Sequence, residues 1–447
     1  MFIPHSNAER EEMLKTIGVD NLKELFKDLP PDQLYPDLNL PPGLTEMETL
    51  EELENIASVN ESAQDLICFL GAGAYYHYTP AAVDFILRRG EFYTAYTPYQ
   101  PEISQGTLQA IFEYQSLITA LTGMDVSNAS HYDGATAVAE AINMSYHNFR
   151  MKRPKVVMSP SVHPHYRDTV HTYIQGSDIQ LVGEDLPPLS DPDELIDLID
   201  EDTSVVILQY PDFLGRIYDY SAIVEAAHNV KALVSIHINP LALGLLKPPG
   251  DFGADIVTGE GQTLGIPMAF GGPHLGIFAT KSKYVRKMAG RLVGETVDSR
   301  GQRGYVLTLS TREQHIRREK ATSNICSNQG LLALASAIYL SLLGKTGLRK
   351  VAELNYHKAH YAADSIQKIE GFELAYDTPF FNEFVVRCPR PVAEINAYLL
   401  ENDILGGFEL GTVYKGMDDH MLVAVTEMIR HSDIDYLTHA LSEVPNA

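Results

Sequence analysis

Residues 91–106 read EFYTAYTPYQPEISQG, and they form the most informative stretch of the chain. Pro98 and Pro101 each favour extended geometry in the residue before them and remove one backbone donor. We therefore expect a loop here, neither a helix nor a regular strand. Gly106 permits a turn, and apolar residues then recur at helical spacing from Leu108 onward. The sequence thus predicts a stiff loop with three tyrosines that leads directly into a helix.

Two interpretations of this Tyr-rich loop (residues 91–105) stay open. Its polar side chains could hold a small polar ligand or grip a neighbouring chain; a tyrosine hydroxyl, a carboxylate and an amide are then the candidates, at Tyr96, Glu102 and Gln105. In an extended segment Tyr93 and Tyr99 would share one face, and Tyr96 and Glu102 the other. Alternatively, the loop is a buried crossover whose tyrosines belong to the core.

The composition is that of an ordinary globular chain with a strong negative charge. Its 447 residues include 34 Lys and Arg against 59 Asp and Glu, which gives a net charge of −25. Such a chain is repelled by phosphate backbones and anionic lipids, so we expect neither nucleic acid nor membrane as a partner. No apolar run is expected to be long enough to span a bilayer, and no leader segment is expected. The cysteines Cys68, Cys326 and Cys388 show no metal-ligand spacing, which favours reduced thiols and a cytoplasmic location.

The pattern along the chain separates an arm from an α/β domain. Capping boxes at Ser6-x-x-Glu9 and Thr45-x-x-Glu48 flank a Pro-rich linker, which predicts a helical arm over residues 1–60. From residue 155 short apolar runs alternate with helices, which predicts a mostly parallel sheet covered on both faces. From about residue 310 the character changes, with a charged cluster and then a long apolar-faced helix.

Two glycine-containing turns are candidates for binding a phosphate. Residues 71–74 (GAGA) lack the third glycine of a dinucleotide motif, so a close backbone approach is the better interpretation. Residues 130–134 (SHYDG) open a helix of small residues, where phosphates are usually bound. Asp133 would oppose a phosphate there, and we expect it to cap the helix instead. His163 and His165 have no neighbours that would complete a metal site.

The chain resembles the glycine cleavage system P protein, in the form that is split into two subunits. The resemblance is carried by collinear blocks across nearly the whole chain, at residues 97–106, 130–134, 209–211, 239–244, 271–274, 312–318, 322–329 and 380–384. It implies the aspartate-aminotransferase-like fold, fold type I of the pyridoxal-phosphate-dependent transferases. A large α/β domain over residues 61–325 and a small C-terminal α+β domain over residues 326–447 are then expected.

The resemblance also implies an activity and partners. The family enzyme, glycine dehydrogenase (aminomethyl-transferring), is an oxidoreductase with a disulfide acceptor. It decarboxylates glycine on pyridoxal phosphate and passes the aminomethyl group to the lipoyl arm of the H protein. In the split form, subunit 2 carries the cofactor and its lysine, and the subunits form a heterotetramer with two copies of each. This chain resembles subunit 1.

The anchors for the cofactor are altered in this chain. Pyridoxal-phosphate chemistry needs a lysine for the Schiff base and an acid near the pyridine nitrogen. Residues 255–265, which match the family's lysine turn, contain no lysine, and His237 stands where the acid is expected. Asp133 lies at the phosphate turn. The expectation is therefore that the partner subunit binds pyridoxal phosphate and that this chain has no cofactor-binding residue.

Three hypotheses follow. In the first, the chain completes its partner's active site: Tyr96 and Glu102 approach the partner's cofactor, and Gln105 anchors the loop at the helix start. In the second, Lys281 or Lys283 makes the chain an autonomous pyridoxal-phosphate aminotransferase or lyase. In the third, the chain is a structural scaffold or a docking platform for the H protein, with no part in the chemistry.

Overall fold

A computed structural model describes residues 4–444 of the chain. It contains two units, Met1–Glu61 and Ser62–Ala447. The first three residues of the predicted arm and the last three of the predicted C-terminal domain lie outside the described residues. The predicted division at residue 325 stays a prediction.

The N-terminal unit consists of short helical elements with an exposed apolar surface. These are α1 (Asn7–Ile17), two 3-10 helices (Leu22–Phe26 and Pro31–Gln33) and α2 (Glu46–Ala57). Ser6 with Glu9 and Thr45 with Glu48 form the capping boxes that the sequence predicts, which confirms both helix starts. No residue of these four elements is buried.

The second unit contains the remaining regular elements. Its helices are α3 (Ala81–Leu87), α4 (Gly90–Tyr93), α5 (Gln105–Thr122), α6 (Gly134–Asn148), α7 (Pro164–Ile174), α8 (Ser221–Asn229), α9 (Pro249–Phe252), α10 (Gln314–Arg317), α11 (Gly330–Ile366), α12 (Val392–Leu400) and α13 (His431–Ser442). Its strands are β1 (Ile67–Cys68), β2 (Val126–Ser127), β3 (Lys155–Met158), β4 (Gln180–Val182), β5 (Thr203–Tyr210), β6 (Leu233–Ile238), β7 (Ile256–Glu260), β8 (Gly276–Thr280), β9 (Leu292–Val297), β10 (Arg303–Thr308), β11 (Glu373–Leu374), β12 (Glu383–Arg387), β13 (Ile404–Leu405), β14 (Phe408–Glu409) and β15 (His420–Ala424).

A seven-stranded sheet in the order β2-β8-β7-β6-β5-β3-β4 forms the centre of this unit. The neighbours from β4 through β7 are parallel, and β8 runs antiparallel to both β7 and β2. Val206 and Leu208 pack into one core cluster, and the alternate residues Val205 and Ile207 pack into another. Both faces of the sheet are therefore covered, which confirms the mostly parallel, doubly covered sheet that the sequence predicts.

A four-stranded antiparallel sheet in the order β11-β12-β15-β14 forms a second layer, with its own core shared with α12 and α13. Two further features lie outside these sheets. The segment between β4 and β5 contains a 3-10 helix, Pro192–Leu198, and the antiparallel hairpin of β9 and β10 was not predicted.

Helix α11 is long and apolar enough to cross a membrane by length and composition, alone among the helices of residues 4–444. The expectation that no apolar run reaches this length is therefore wrong. The helix is interrupted at Gly344, whose φ of 55° and ψ of −173° are not helical. Leu334 and Tyr339 before the interruption pack into the core of the central sheet, and Ala359 after it packs into the second core. A helix in the core of a soluble protein can have the same length and composition as one that crosses a membrane.

Candidate functional site

The three altered anchor positions come together at one edge of the central sheet. The carboxyl ends of β6 and β7 lie side by side, with His237 paired to Thr258. A bridge between His131 and Gly276 brings the start of α6 to the same edge. A cavity of about 350 Å³ opens there, and Asp133 and Glu260 are among its lining residues.

Two carboxylates hold the N-terminus of α6. The Asp133 side chain accepts a hydrogen bond from the Thr136 backbone N–H at 2.8 Å, which confirms the predicted cap. Glu260, from the end of β7, accepts one from the Gly134 N–H at 2.9 Å. The other Glu260 oxygen accepts from the N–H groups of Gln262 and Leu275, at 3.0 and 3.2 Å. Two donors of this helix end, the Gly134 and Thr136 N–H groups, are therefore satisfied by the chain's own carboxylates.

A histidine completes the surroundings of Glu260. His274 Nδ1 lies 3.5 Å from Glu260 Oε2. Hydrogen bonding to Glu260 raises the pKa of His274 above its usual value, although partial burial opposes the effect. Three backbone donors and one imidazole thus surround a single buried carboxylate.

Tyr166 fills the space beside His237. Its ring stacks on that of His163, with centroids 4.4 Å apart and an interplanar angle of 16°. It also meets the His237 ring edge-on at 4.8 Å. Burial lowers the pKa of His163 to about 4 and that of His237 to about 3, so both rings are neutral near pH 7. A neutral His237 supplies no negative charge at the position where the family places its acid.

The packing on one side of the helix start is tight. A Cβ atom at Gly134 would lie 2.8 Å from His237 Cε1 and 3.1 Å from both the Tyr166 hydroxyl oxygen and Glu260 Cβ. Residues 258–264 contain no lysine. Bound pyridoxal phosphate needs a lysine, an acid at the pyridine nitrogen and an open phosphate seat. The residues present here do not fit that cofactor.

The two alternative lysines lie at the opposite end of β7 from the cavity. Because β8 is antiparallel to β7, Gly276 pairs with Glu260 and Thr280 pairs with Ile256. Lys281 follows Thr280, and its Nζ bonds to the Gly253 carbonyl at 2.7 Å and to Asp255 at 3.1 Å. Lys283 Nζ lies 3.6 Å from the same carboxylate. The structure therefore brings neither lysine to the cavity.

The turn at residues 71–74 is a place of close backbone approach, as its glycines predict. Gly71 has a φ of 53°, and a Cβ there would lie 2.2 Å from Ala424 Cβ. Gly73 has a φ of 103°, and a Cβ there would lie 2.7 Å from His163 Nε2. The turn lines the same cavity as the start of α6, and His163 Nε2 bonds to the Ala72 carbonyl at 2.9 Å.

A buried carboxylate from β12 supports this turn. Glu383 accepts hydrogen bonds from the Ala72 N–H at 2.8 Å and from the Tyr75 hydroxyl at 2.7 Å. Burial raises the pKa of Glu383 to about 7 from a usual value of 4.5. A second buried carboxylate, Glu140 in α6, accepts from the Ser323 hydroxyl at 2.6 Å, and burial raises its pKa to about 7 as well.

We expect the contribution of Glu383 to stability to fall as the pH rises from about 4.5 to about 7. In that window the unfolded chain loses the Glu383 proton while the folded chain retains it. This contribution is complete below pH 4.5 and lost once the pH passes about 7, at a cost on the order of 3 kcal/mol. In urea unfolding across this range, Glu383→Gln should therefore gain stability relative to the unchanged chain, because glutamine cannot ionise. An identical pH dependence in the variant and the unchanged chain would contradict the assignment.

The Tyr-rich loop lies at the surface. Tyr93, Tyr96 and Tyr99 are 71%, 87% and 55% exposed, so the interpretation as a buried crossover is wrong in this chain. The expectation of no helix fails at its first residues, because Gly90–Tyr93 forms α4. Tyr93 therefore follows helical geometry, and the predicted two-residue alternation does not extend to it.

Gln105 ties the end of the loop to the hairpin of β9 and β10. Its Nε2 donates to the carbonyls of Pro101 at 2.6 Å and Tyr305 at 2.9 Å. Its Oε1 accepts from the Tyr305 N–H at 2.8 Å. Glu102 is exposed. A part in catalysis for Tyr96, Glu102 or Gln105 stays a prediction.

A second cavity, of about 140 Å³, lies beneath the loop. Tyr96, Pro98 and Arg291 are among its lining residues. Arg291 also reaches the Tyr99 hydroxyl at 3.3 Å. This cavity and the one beside Glu260 have no lining residue in common. The candidate residues of the loop therefore do not line the cavity beside Glu260.

The two side chains that shape the site were not predicted from the sequence. Glu260 stands between two glycines at the end of a buried strand, within the stretch that matches the family's lysine turn, and its carboxylate there was a visible signal. Tyr166 carries no such signal, because it is one aromatic residue in an ordinary helix. Among residues 4–444 no group of three or more His, Cys, Asp or Glu side chains is arranged to hold a metal ion.

Comparison with known proteins gives a consistent result. The sequence model of the glycine cleavage system P-protein family matches residues 1–441. A probable glycine dehydrogenase (decarboxylating) subunit 1 from Thermomicrobium roseum is 54% identical over 445 residues, with 99% of each chain covered. The protein of the same name from Desulforamulus reducens is 51% identical over 448 residues, again with 99% of each chain covered.

Solved structures agree on the fold. The crystal structure of a glycine decarboxylase (P-protein) in inhibitor-bound form has a TM-score of 0.89 at 42% identity, and the match covers all of both chains. Glutamate decarboxylase from Lactobacillus brevis has a TM-score of 0.68 at 16% identity, with 95% of this chain and 97% of that one covered. The latter similarity shows the fold alone. The predicted fold type I of the pyridoxal-phosphate-dependent transferases is confirmed.

Proposed function

This chain belongs to the glycine cleavage system P-protein family, and from that premise we propose that it acts as the cofactor-free subunit 1 of a two-subunit glycine dehydrogenase (decarboxylating). The name "subunit 1" of its relatives implies a second subunit. In the proposed assembly, two copies of each subunit form a cytoplasmic heterotetramer. Pyridoxal phosphate on subunit 2 supplies the carbanion stabilisation that glycine decarboxylation needs. The lipoylated H protein receives the aminomethyl group.

The observation that carries the proposal is Glu260. It lies in the turn that matches the family's lysine turn, and its carboxylate is bonded to the N–H of Gly134 at the helix end where a phosphate would bind. A carboxylate cannot form a Schiff base, and it repels a phosphate dianion. Lys281 and Lys283 do not compensate, because both are paired with Asp255 at the opposite end of β7.

The contribution of this chain to the chemistry is assigned to the Tyr-rich loop. The exposed Tyr96 hydroxyl and Glu102 carboxylate would reach into the active site of subunit 2. There they would orient the glycine carboxylate and amine and help to exclude water. Gln105 would position the loop through its bonds to Pro101 and Tyr305. A scaffold without such residues is the competing function, and it is separated from this one by variants in the assembled enzyme.

The cofactor content of the assembly tests the proposal. The purified complex of both subunits should contain one pyridoxal phosphate for each pair of chains, released by denaturation and measured by absorbance. Two per pair would show that this chain binds the cofactor as well. If the two chains do not associate, the proposal that this chain acts as subunit 1 is wrong.

Deletion of residues 1–50 should weaken association with subunit 2 by at least about tenfold. Met47 and Leu50 in α2 are 75% and 57% exposed, and each buried leucine is worth about 1.5–3 kcal/mol. We expect the arm to cover these side chains with the partner. Analytical ultracentrifugation of the mixed subunits gives the affinity, and circular dichroism checks the fold of the remainder.

Two further variants test whether the arm acts through the apolar face of α2. Leu50→Ser with Leu53→Ser should weaken association, whereas Glu52→Ser should not, because at 100° per residue Glu52 projects from the other side of α2. Unchanged co-purification of the deleted chain would make the arm a simple appendage.

A further inference from the structure

The surroundings of Glu260 are those of an anion site. Three backbone N–H groups, from Gly134, Gln262 and Leu275, point to its two oxygens. Gly134 opens the 15-residue helix α6, so the positive end of a helix dipole faces the carboxylate. His274 adds an imidazole at 3.5 Å. Convergent N–H groups, a helix N-terminus and a basic side chain are what proteins use to bind phosphate.

The occupant of this site is a side chain of the protein itself. Glu260 is 7% exposed and ends β7, where its backbone is fixed by pairing with Gly276. Its carboxylate carries charge and oxygen acceptors at the place where a phosphate would present them. Tyr166, stacked on His163, lines the same cavity as Glu260.

We infer that Glu260 is a built-in substitute for a ligand phosphate, and that this one side chain closes the anion site at the start of α6. The inference depends on the proposed function in one respect, namely that related chains bind a cofactor at this site. The carboxylate both stabilises the helix start and excludes free anions. Removal of the carboxylate should therefore open a binding site for inorganic phosphate.

Glu260→Ala in the full-length chain tests the inference. The variant leaves three N–H groups and His274 without their acceptor, so its melting temperature should fall by several degrees. Inorganic phosphate should restore that loss in a saturable manner and bind at least about tenfold more tightly than to the unchanged chain. Isothermal titration calorimetry gives the affinity, and chloride at the same ionic strength controls for screening.

Asp133→Ala is the matched control. It removes a carboxylate from the same helix end, where Asp133 caps Thr136 at 2.8 Å, but it leaves Glu260 in the site. The control should lose stability as a lost N-cap does, and phosphate should not restore it. If phosphate binds Glu260→Ala no more tightly than the unchanged chain, or rescues both variants equally, the inference is wrong.

A second variant keeps the test decisive if Glu260→Ala fails to fold. Glu260→Gln retains the size and the acceptor oxygen but loses the charge. The pKa of His274, followed by NMR, should then fall from its raised value toward that of an ordinary buried histidine. An unchanged His274 pKa would overturn the assignment of the charge. These measurements do not involve a Schiff base, so their failure is distinguishable from a failure of the proposed function.

Discussion

Replacement of Tyr96 by phenylalanine should lower the turnover of the reconstituted pair by about 10²-fold or more, and Glu102→Gln should do the same. A hydrogen-bond donor or a general acid that acts only in the transition state contributes on this scale. Both substitutions retain the shape of the side chain and remove only the hydroxyl or the charge. Turnover is measured as CO2 release from glycine with the H protein present.

Because these side chains are exposed, neither substitution should disturb the fold. Tyr96 is 87% exposed and Glu102 is exposed, so either substitution should change the free energy of unfolding by no more than about 0.5 kcal/mol. Tyr93→Phe is the matched control. Tyr93 is 71% exposed in the same loop but is assigned no part at the partner's site, and its variant should retain full turnover.

Two results would contradict the assignment. Wild-type turnover in both variants, with assembly intact, would leave the loop without a catalytic part and would favour the scaffold hypothesis. An equal loss in Tyr93→Phe would show that the loop contributes through its overall conformation and not through Tyr96.

The chain without its partner should release no CO2 from glycine above the uncatalysed background, even with excess pyridoxal phosphate. The reason is the geometry of its own site, where Glu260 occupies the anion position, His237 is neutral and, within residues 4–444, no lysine lines the cavity. Addition of subunit 2 should restore the full rate. Lys281→Met and Lys283→Met should leave that restored rate unchanged, because the two lysines lie at the opposite end of β7.

Steady release of CO2 by the isolated chain would contradict this account. A loss of the restored rate in Lys281→Met would do so as well, provided that the variant still associates with subunit 2. Both outcomes would revive the hypothesis of an autonomous enzyme.

Much of the fold was accessible from the sequence because its determinants are local. The apolar runs at 205–208 and 233–236 lie in parallel strands of the central sheet, and the capping box at Thr45 begins a helix. Periodicity and caps act over a few residues, so a single sequence displays them. The hairpin of β9 and β10 was not predicted, because only two residues of β9 are buried and its pattern is therefore not that of a core strand.

The site was only partly accessible because its contacts are non-local. The absence of a lysine and the substitution at His237 were visible in the sequence. The bond from Glu260 to Gly134 joins residues 126 positions apart, and the bond from Glu383 to Ala72 joins residues 311 apart. Neither partner could be assigned before the fold was known. The exposure of the Tyr-rich loop was equally hidden, because tyrosine suits a core and an interface alike.

Reduction of a Schiff base tests the central claim most directly. The isolated full-length chain is incubated with pyridoxal phosphate at equimolar concentration, reduced with borohydride, digested and mapped by mass spectrometry, with subunit 2 treated in parallel. The account predicts a stoichiometric pyridoxyl-lysine in subunit 2 and none in this chain. A stoichiometric label on Lys281, Lys283 or another single lysine of this chain would contradict it.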